Sequence, residues 1–198
     1  VDSTQGWINT MDSTSNVRGR PPFICASVSG ACNTLVTAPC CANVKIATFT
    51  GPGDFTVNSI GSVTNNVVSY MVVAGGGGGV GCYGGGGGAG GFREGKSPVT
   101  PYTASPIVAP TGLTISSPGA ITVTVGGGGA VVPTGEPGTG GPNSVFSSIT
   151  STGGGAGILA PVSPNQPGNS GGSGSGGYAI SGSGGAGNTP PVSPSQGN

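Results

Sequence analysis

Val67-Val68-Ser69-Tyr70-Met71-Val72-Val73-Ala74, followed without a break by Gly75-Gly76-Gly77-Gly78-Gly79, is the stretch on which the reading of this chain turns. Its first half is apolar at nearly every position and rich in β-branched valine, the pattern of a strand buried on both faces. Its second half has no side chains at all. The succession recurs: residues 121–125 lead into the glycines of 126–129, and residues 145–150 lead into those of 153–155. A flexible linker requires no strand before it, so a repeated strand-then-glycine pair marks an ordered architecture.

Polyglycine can take the extended threefold polyproline-II geometry, which forms no internal hydrogen bonds and leaves every N–H and C=O free to pair laterally. Neighbouring glycine segments, having no Cβ, can approach closely enough to bond to one another as a sheet-like or hexagonal block. Ordering glycine costs much conformational entropy, so flanking strands must hold the ends of each segment.

Outward from this core pattern, residues 5–11, 23–29, 44–50 and 55–60 also read as strands separated by Gly, Pro and Asn. Leucine and other helix formers are scarce and valine and isoleucine dominate, which favours strands. The 45 glycines and 18 prolines among 198 residues are a level usually associated with disorder. Disorder, however, is normally kept open by charge, and this chain has five cations, five anions and no net charge. The same scarcity of Lys and Arg removes the electrostatic basis of nucleic-acid binding and of a basic membrane patch. No apolar run approaches a membrane span, and the opening at Val1 without Met or a signal pattern reads as a processed or excised piece.

Three regions are expected: a small β unit with a cysteine cluster over 1–43, a glycine-rich β/polyglycine domain over 44–159, and a Pro/Ser/Gly-rich repetitive tail over 160–198. In the tail, Pro161-Val162-Ser163-Pro164-Asn165-Gln166 returns 30 residues later as Pro191-Val192-Ser193-Pro194-Ser195-Gln196, an expectation of a longer repetitive protein. Cys25, Cys32, Cys40 and Cys41 cluster closely enough for one or two disulfides in an oxidising compartment, with Cys82 apart from them. There is no CxxC pair and no histidine, so no metal site and no cofactor are expected.

Gly90-Gly91-Phe92-Arg93-Glu94-Gly95-Lys96-Ser97 fits the phosphate-cradling pattern GxxxxGK[ST]. The helix that pattern needs is blocked by Pro98 and Pro101, and in a glycine-rich chain the spacing arises by chance. The acids Asp2, Asp12, Asp54, Glu94 and Glu136 are dispersed, and without histidine the usual base for a serine nucleophile is missing. The chain therefore reads as no enzyme. Phe92, Arg93 and Lys96 concentrate distinctive side chains among glycines, and with Tyr83 and Tyr178 they are the candidate receptor contacts. Trp7 reads as core or subunit contact.

Ala47-Thr48-Phe49-Thr50-Gly51-Pro52-Gly53-Asp54-Phe55-Thr56-Val57, the valine run ending at Gly75, Gly88-Ala89-Gly90-Gly91-Phe92-Arg93-Glu94, Ile121-Thr122-Val123-Thr124-Val125-Gly126 and Ser144-Val145-Phe146-Ser147-Ser148-Ile149 occur in this order. Together they resemble the glycine-rich domain of tail-fibre and other appendage proteins of aquatic bacteriophages. The opening Val1-Asp2-Ser3-Thr4-Gln5-Gly6-Trp7 is similar to a unit that recurs in such fibre proteins. The resemblance implies a virion surface part, sometimes receptor-binding, with glycine segments packed as polyglycine-II helices as in the distal adhesins of T-even-type phages; it brings no catalytic residues.

The expectation is thus an all-β fold, β-sandwich-like strands with packed polyglycine-II segments and almost no helix. Its function would be structural or adhesive, extracellular or on a virion surface. Its partners would be neighbouring copies in a homo-oligomer and possible host-surface glycans or proteins, with no nucleic acid and no membrane. A self-assembling subunit of an extracellular filament is the alternative.

Overall fold

The structure, a computed structural model, describes residues 22–39, 41–81, 84–130, 132, 136–159, 166–178 and 182–198. The strand expected over 5–11 and Trp7 lie outside these residues. The described chain is all-β, with strands β1 (Cys25–Val28), β2 (Thr34–Ala38), β3 (Cys41–Thr48), β4 (Gly53–Ser59), β5 (Val67–Val68), β6 (Tyr70–Val73), β7 (Phe92–Gly95), β8 (Leu113–Thr114), β9 (Gly119–Thr124), β10 (Ser144–Phe146) and β11 (Ile149–Ser151).

Five strands form an antiparallel sheet in the order β1-β4-β9-β10-β11, and three two-stranded sheets pair β2 with β3, β5 with β8 and β6 with β7. β1, from the region expected as a separate amino-terminal unit, opens the five-stranded sheet. Alternation along β4 turns Phe55 and Val57 inward, where they meet Val123 of β9 and Ile115 to form a small apolar core. Phe146 of β10 closes it, edge-on to Phe55 with ring centroids 5.9 Å apart at 86°. The hairpin β6–β7 lies against β10 and β11.

The valine run at 67–74 is not one doubly buried strand. It breaks at Ser69, whose hydroxyl accepts the Ser97 N–H at 2.9 Å and pairs with Thr100 Oγ1 at 2.7 Å. Val67–Val68 goes to one sheet and Tyr70–Val73 to another, and Met71 and Val73 are 70% and 52% exposed.

The glycine runs are ordered, and their hydrogen bonds carry a threefold period. Gly85, Gly88 and Gly91 donate in turn to the carbonyls of Ile158, Gly155 and Thr152, at 3.0, 2.8 and 2.7 Å. Gly75 and Gly78 donate to Pro142 and Thr139, while their own carbonyls accept from Gly154 and Gly157. Ser173 and Gly176 donate to Ala89 and Gly86, and Gly168 and Gly171 to Ser183 and Ala186. Partners spaced by three on both sides are the signature of polyproline-II helices bonded side by side, where a β-ladder would repeat every second residue.

Packing explains why these positions are glycine. A Cβ on Gly75 would overlap the carbonyl of Gly127, one on Gly78 that of Ala130, and one on Gly154 that of Gly88. Where the block is open the sequence admits alanine: Gly86 and Gly127 face empty space, and three residues on, on the same exposed side, stand Ala89 and Ala130. Strands anchor the block, since β6 runs directly into 75–79, β9 leads to 126–130 by way of Val125, and β11 runs on into 152–157. Residues 168–177 and 182–198, expected as a repetitive tail, supply further segments to the same block. Gly155 donates to Ser173, Gly172 to Gly153, and Phe92 to Gln196.

Candidate contact surface

β7 carries most of the residues expected to make contacts, and it forms a strand only through its partner. Phe92-Arg93-Glu94-Gly95 has low intrinsic strand preference in its second half, but the register pairs Tyr70 with Gly95, Met71 with Glu94, Val72 with Arg93 and Val73 with Phe92. Residues directly opposite share a face, so Phe92 and Glu94 stand beside the exposed Val73 and Met71.

Beyond β7 the chain makes a long excursion, residues 96–112, that returns to the same strand. Ala109 donates to the Glu94 carbonyl at 2.8 Å and Gly112 to that of Lys96 at 3.0 Å. The excursion folds over Glu94, leaving it 6% exposed, and the Ser105 N–H reaches its Oε2 at 2.9 Å. Glu94 is held below the usual carboxylate range. The Ser105 hydroxyl beside it contributes most, although that hydroxyl completes no hydrogen bond of good geometry; burial works the other way; the Ser105 amide, the Tyr102 hydroxyl and the Lys96 charge add to the lowering. Tyr102 is pushed up by its own burial and by Glu94. The Lys96 ammonium stands 5.2 Å from the centroid of the Tyr102 ring, within cation–π range.

Phe92 and Glu94 thus share a face with the exposed Val73 and Met71, Lys96 stands by Tyr102, and Val99 and Ile107 are exposed within the 96–112 excursion. Arg93 shares β7 but lies opposite the buried Val72, on the other face. Tyr178 is elsewhere, in the glycine block, where its N–H donates to Gln166 and its carbonyl accepts from Gly182. Tyr83 lies outside the described residues. Cys25 and Cys32 are exposed free thiols, Cys32 at a φ of 63°; Cys40 and the side chain of Cys41 lie outside the description.

The sequence did not single out Glu94 as a buried latch or Tyr102 as its partner. Two residues separated by a proline-punctuated loop give no spacing signal. The GxxxxGK[ST] segment does not form a phosphate cradle: its centre is strand, no helix follows Ser97, and Ser97 is 1% exposed with its hydroxyl turned inward and unpartnered. Among the described residues no group of acids, cysteines or histidines could hold a metal ion, and no helix is long and apolar enough to cross a membrane.

This geometry offers a rigid surface with a cation, an aromatic ring and several exposed aliphatic side chains, backed by a hydrogen-bonded glycine block. No curated protein and no solved structure matches the chain. The family model that does match is that of a glycine-rich domain, aligned with residues 50–198, which takes in the contact surface and the whole of the glycine block. The chain belongs to this glycine-rich domain family.

Proposed function

We propose that the chain is a non-enzymatic structural and adhesive module of a phage tail fibre or virion appendage, on the outside of the particle, with the 92–112 surface turned toward a glycan or protein of the host. The observation that carries this reading is the support beneath that surface. Segment 84–91, which leads directly into β7, is bonded along its length to 152–158 and 173–176, so the base of the contact loop cannot swing. A rigid platform keeps the entropy lost on binding low, the property a weakly charged surface needs in order to hold a partner. Phe92 and Tyr102, with the exposed Met71, supply side-chain types enriched in protein contacts.

A second reading, a subunit of a self-assembling extracellular filament, takes the exposed Met71, Val73, Val99 and Ile107 as contacts with a neighbouring copy. Immunogold electron microscopy with antibodies raised against the full chain separates the two. Label along fibres attached to virions supports the appendage, label along free filaments supports the second reading, and label on neither refutes both.

A further inference from the structure

β7 is bonded along both of its edges. The ladder to β6 takes one; on the other the Phe92 N–H donates to the Gln196 carbonyl at 2.8 Å, and the Glu94 carbonyl accepts from Ala109 at 2.8 Å. In an antiparallel pair alternate residues turn their N–H and C=O groups away from the partner strand, and Phe92 and Glu94 are two such residues. The 96–112 excursion thus covers the second half of this edge, and Gln196, from the far end of the chain, covers the first. Phe92 is also the residue at which the glycine segment 84–91 ends and the strand begins.

Gln196 is itself held by its side chain. The Oε1 accepts from the Thr152 N–H at 2.8 Å, and the Nε2 donates to Thr152 Oγ1 and to the Pro190 carbonyl, each at 3.1 Å. A carboxamide supplies an acceptor and donors together, as this buried position requires. It lies over Gly91, where a Cβ would stand 2.6 Å from the Oε1. Asn188 closes the loop behind it: its Oδ1 accepts from Val192 at 3.1 Å and from Gln196 at 3.3 Å, and its Nδ2 donates to the Val192 carbonyl at 3.1 Å. The Asn188 and Thr189 N–H groups donate to Gly172 and Gly171, which tie the loop to the glycine block.

Gln196 ends the second copy of the repeated Pro-Val-Ser-Pro-x-Gln segment, and Gln166 ends the first, of which it alone is among the described residues. The Gln166 carbonyl has the same kind of partner: it accepts from the Tyr178 N–H at 3.2 Å. Tyr178 follows Gly176-Gly177 as Phe92 follows Gly90-Gly91. Two copies of one motif therefore meet two glycine segments at the aromatic residue that ends each. We propose that the repeated segment is a clasp that ends a glycine segment on an aromatic residue, and that Gln196 is thereby a positioning residue for the contact surface, acting through Phe92 to hold the first half of β7 in place. That Phe92 touches a host molecule rests on the reading given under Proposed function; the clasp does not.

The test is residue-resolved amide exchange of the full chain with no host ligand present, so a failed clasp leaves the receptor reading standing, and a failure to bind host cells leaves the clasp standing. In the unmodified chain the Phe92 and Tyr178 amides are expected to be slow. Gln196→Ala removes the anchors of the carbonyl and is expected to quicken Phe92 by roughly tenfold or more, while Gly78 and Gly129, bonded to Thr139 and Gly76, keep their rates. Asn188→Gly, at a φ of 48° that glycine accepts without strain, removes the loop closure without touching β7 and is expected to quicken Phe92 as well. Val57→Ala lowers overall stability from within the apolar core and is expected to leave the ratio of Phe92 to Gly78 exchange unchanged. Exchange at Phe92 or Tyr178 as fast as at the exposed Gly86 overturns the proposal. So do clasp variants that leave Phe92 unchanged or quicken every amide alike, since the second result marks a general loss of stability. Asn188→Gly keeps the proposal open to refutation if Gln196→Ala fails to fold.

Discussion

Gly154→Ala tests the packed-glycine block at its centre. Residues 152–157 are bonded on four sides, to 75–78, 85–91, 141 and 172–173. Gly154 is buried; its N–H donates to Gly75 at 2.9 Å and its carbonyl accepts from Gly141 at 3.0 Å. A methyl group there would overlap the carbonyls of Gly88 and Ala89, which are backbone and cannot rotate away. Relief requires the segment to move off 84–91, and any such movement stretches the bonds on the opposite sides. Leaving two buried backbone groups unsatisfied costs about 1–3 kcal/mol each. Alanine restricts the unfolded chain and returns about 0.4–1 kcal/mol. The net expectation is a loss of about 1–5 kcal/mol, read as a lowered urea midpoint at unchanged slope. Gly86→Ala is the control: nothing lies within 4 Å of its Cβ, so only the unfolded-state effect remains, and stability should rise by about 0.4–1 kcal/mol. If Gly154→Ala is as stable as the unmodified chain, the block is not packed as described.

Three other outcomes follow from individual groups. Amide exchange through 75–91 should follow the lateral bonds, with Gly75, Gly77, Gly78, Gly85, Gly88 and Gly91 slow and the exposed Gly86 and Gly87 fast; uniform random-coil exchange would contradict those bonds. Gln196→Ala removes a side chain 1% exposed that accepts from the Thr152 N–H at 2.8 Å and donates to Thr152 Oγ1 and Pro190 O, so denaturation should show a loss of about 1–3 kcal/mol, the usual cost of a buried group left unpaired. For Glu94 the folded-state pKa is depressed, so its contribution is complete above the ordinary glutamate value of about 4.3 and disappears as pH falls through the folded value. Unmodified chain should therefore lose stability over that acid range more steeply than Glu94→Gln, and equal slopes in pH-dependent denaturation would refute the latch.

How much of this was legible in the sequence depended on where a local signal existed. The strands at 25–28, 41–48, 53–59 and 119–124 stand close to where alternation and β-branched residues placed them. Residues 145–150 read as one strand but form a hairpin, because the turn lacks an Asn-Gly signal and instead places Ser147 at a φ of 57°. Residues 92–95 carry no strand signal of their own, since glutamate and glycine disfavour strands; pairing with β6 overrides that preference. The latch on Glu94 joins residues eleven apart across prolines, a distance set by the return of the loop to its own strand and by no periodicity.

The change of period at Ala74 is the step from which the rest of the architecture follows. Up to Val73, alternate side chains select a face and β6 is held by ladder bonds to β7. From Gly75 no side chain selects a face, so the backbone is free to satisfy its polar groups in several directions at once, and it does so toward 138–143, 152–157, 126–130 and 84–91. Among the described residues the buried apolar cluster is small, Phe55, Val57, Ile115 and Val123, with Ala38, Val72, Ala74 and Ile149 buried outside it, so cohesion of the glycine segments rests on backbone hydrogen bonds shielded by neighbouring backbone. That dependence fixes which substitutions the fold tolerates. A change that enlarges an open position, Gly86 or Gly127, leaves every bond in place, whereas a single methyl at Gly75, Gly78 or Gly154 separates segments that have no side chains with which to repack.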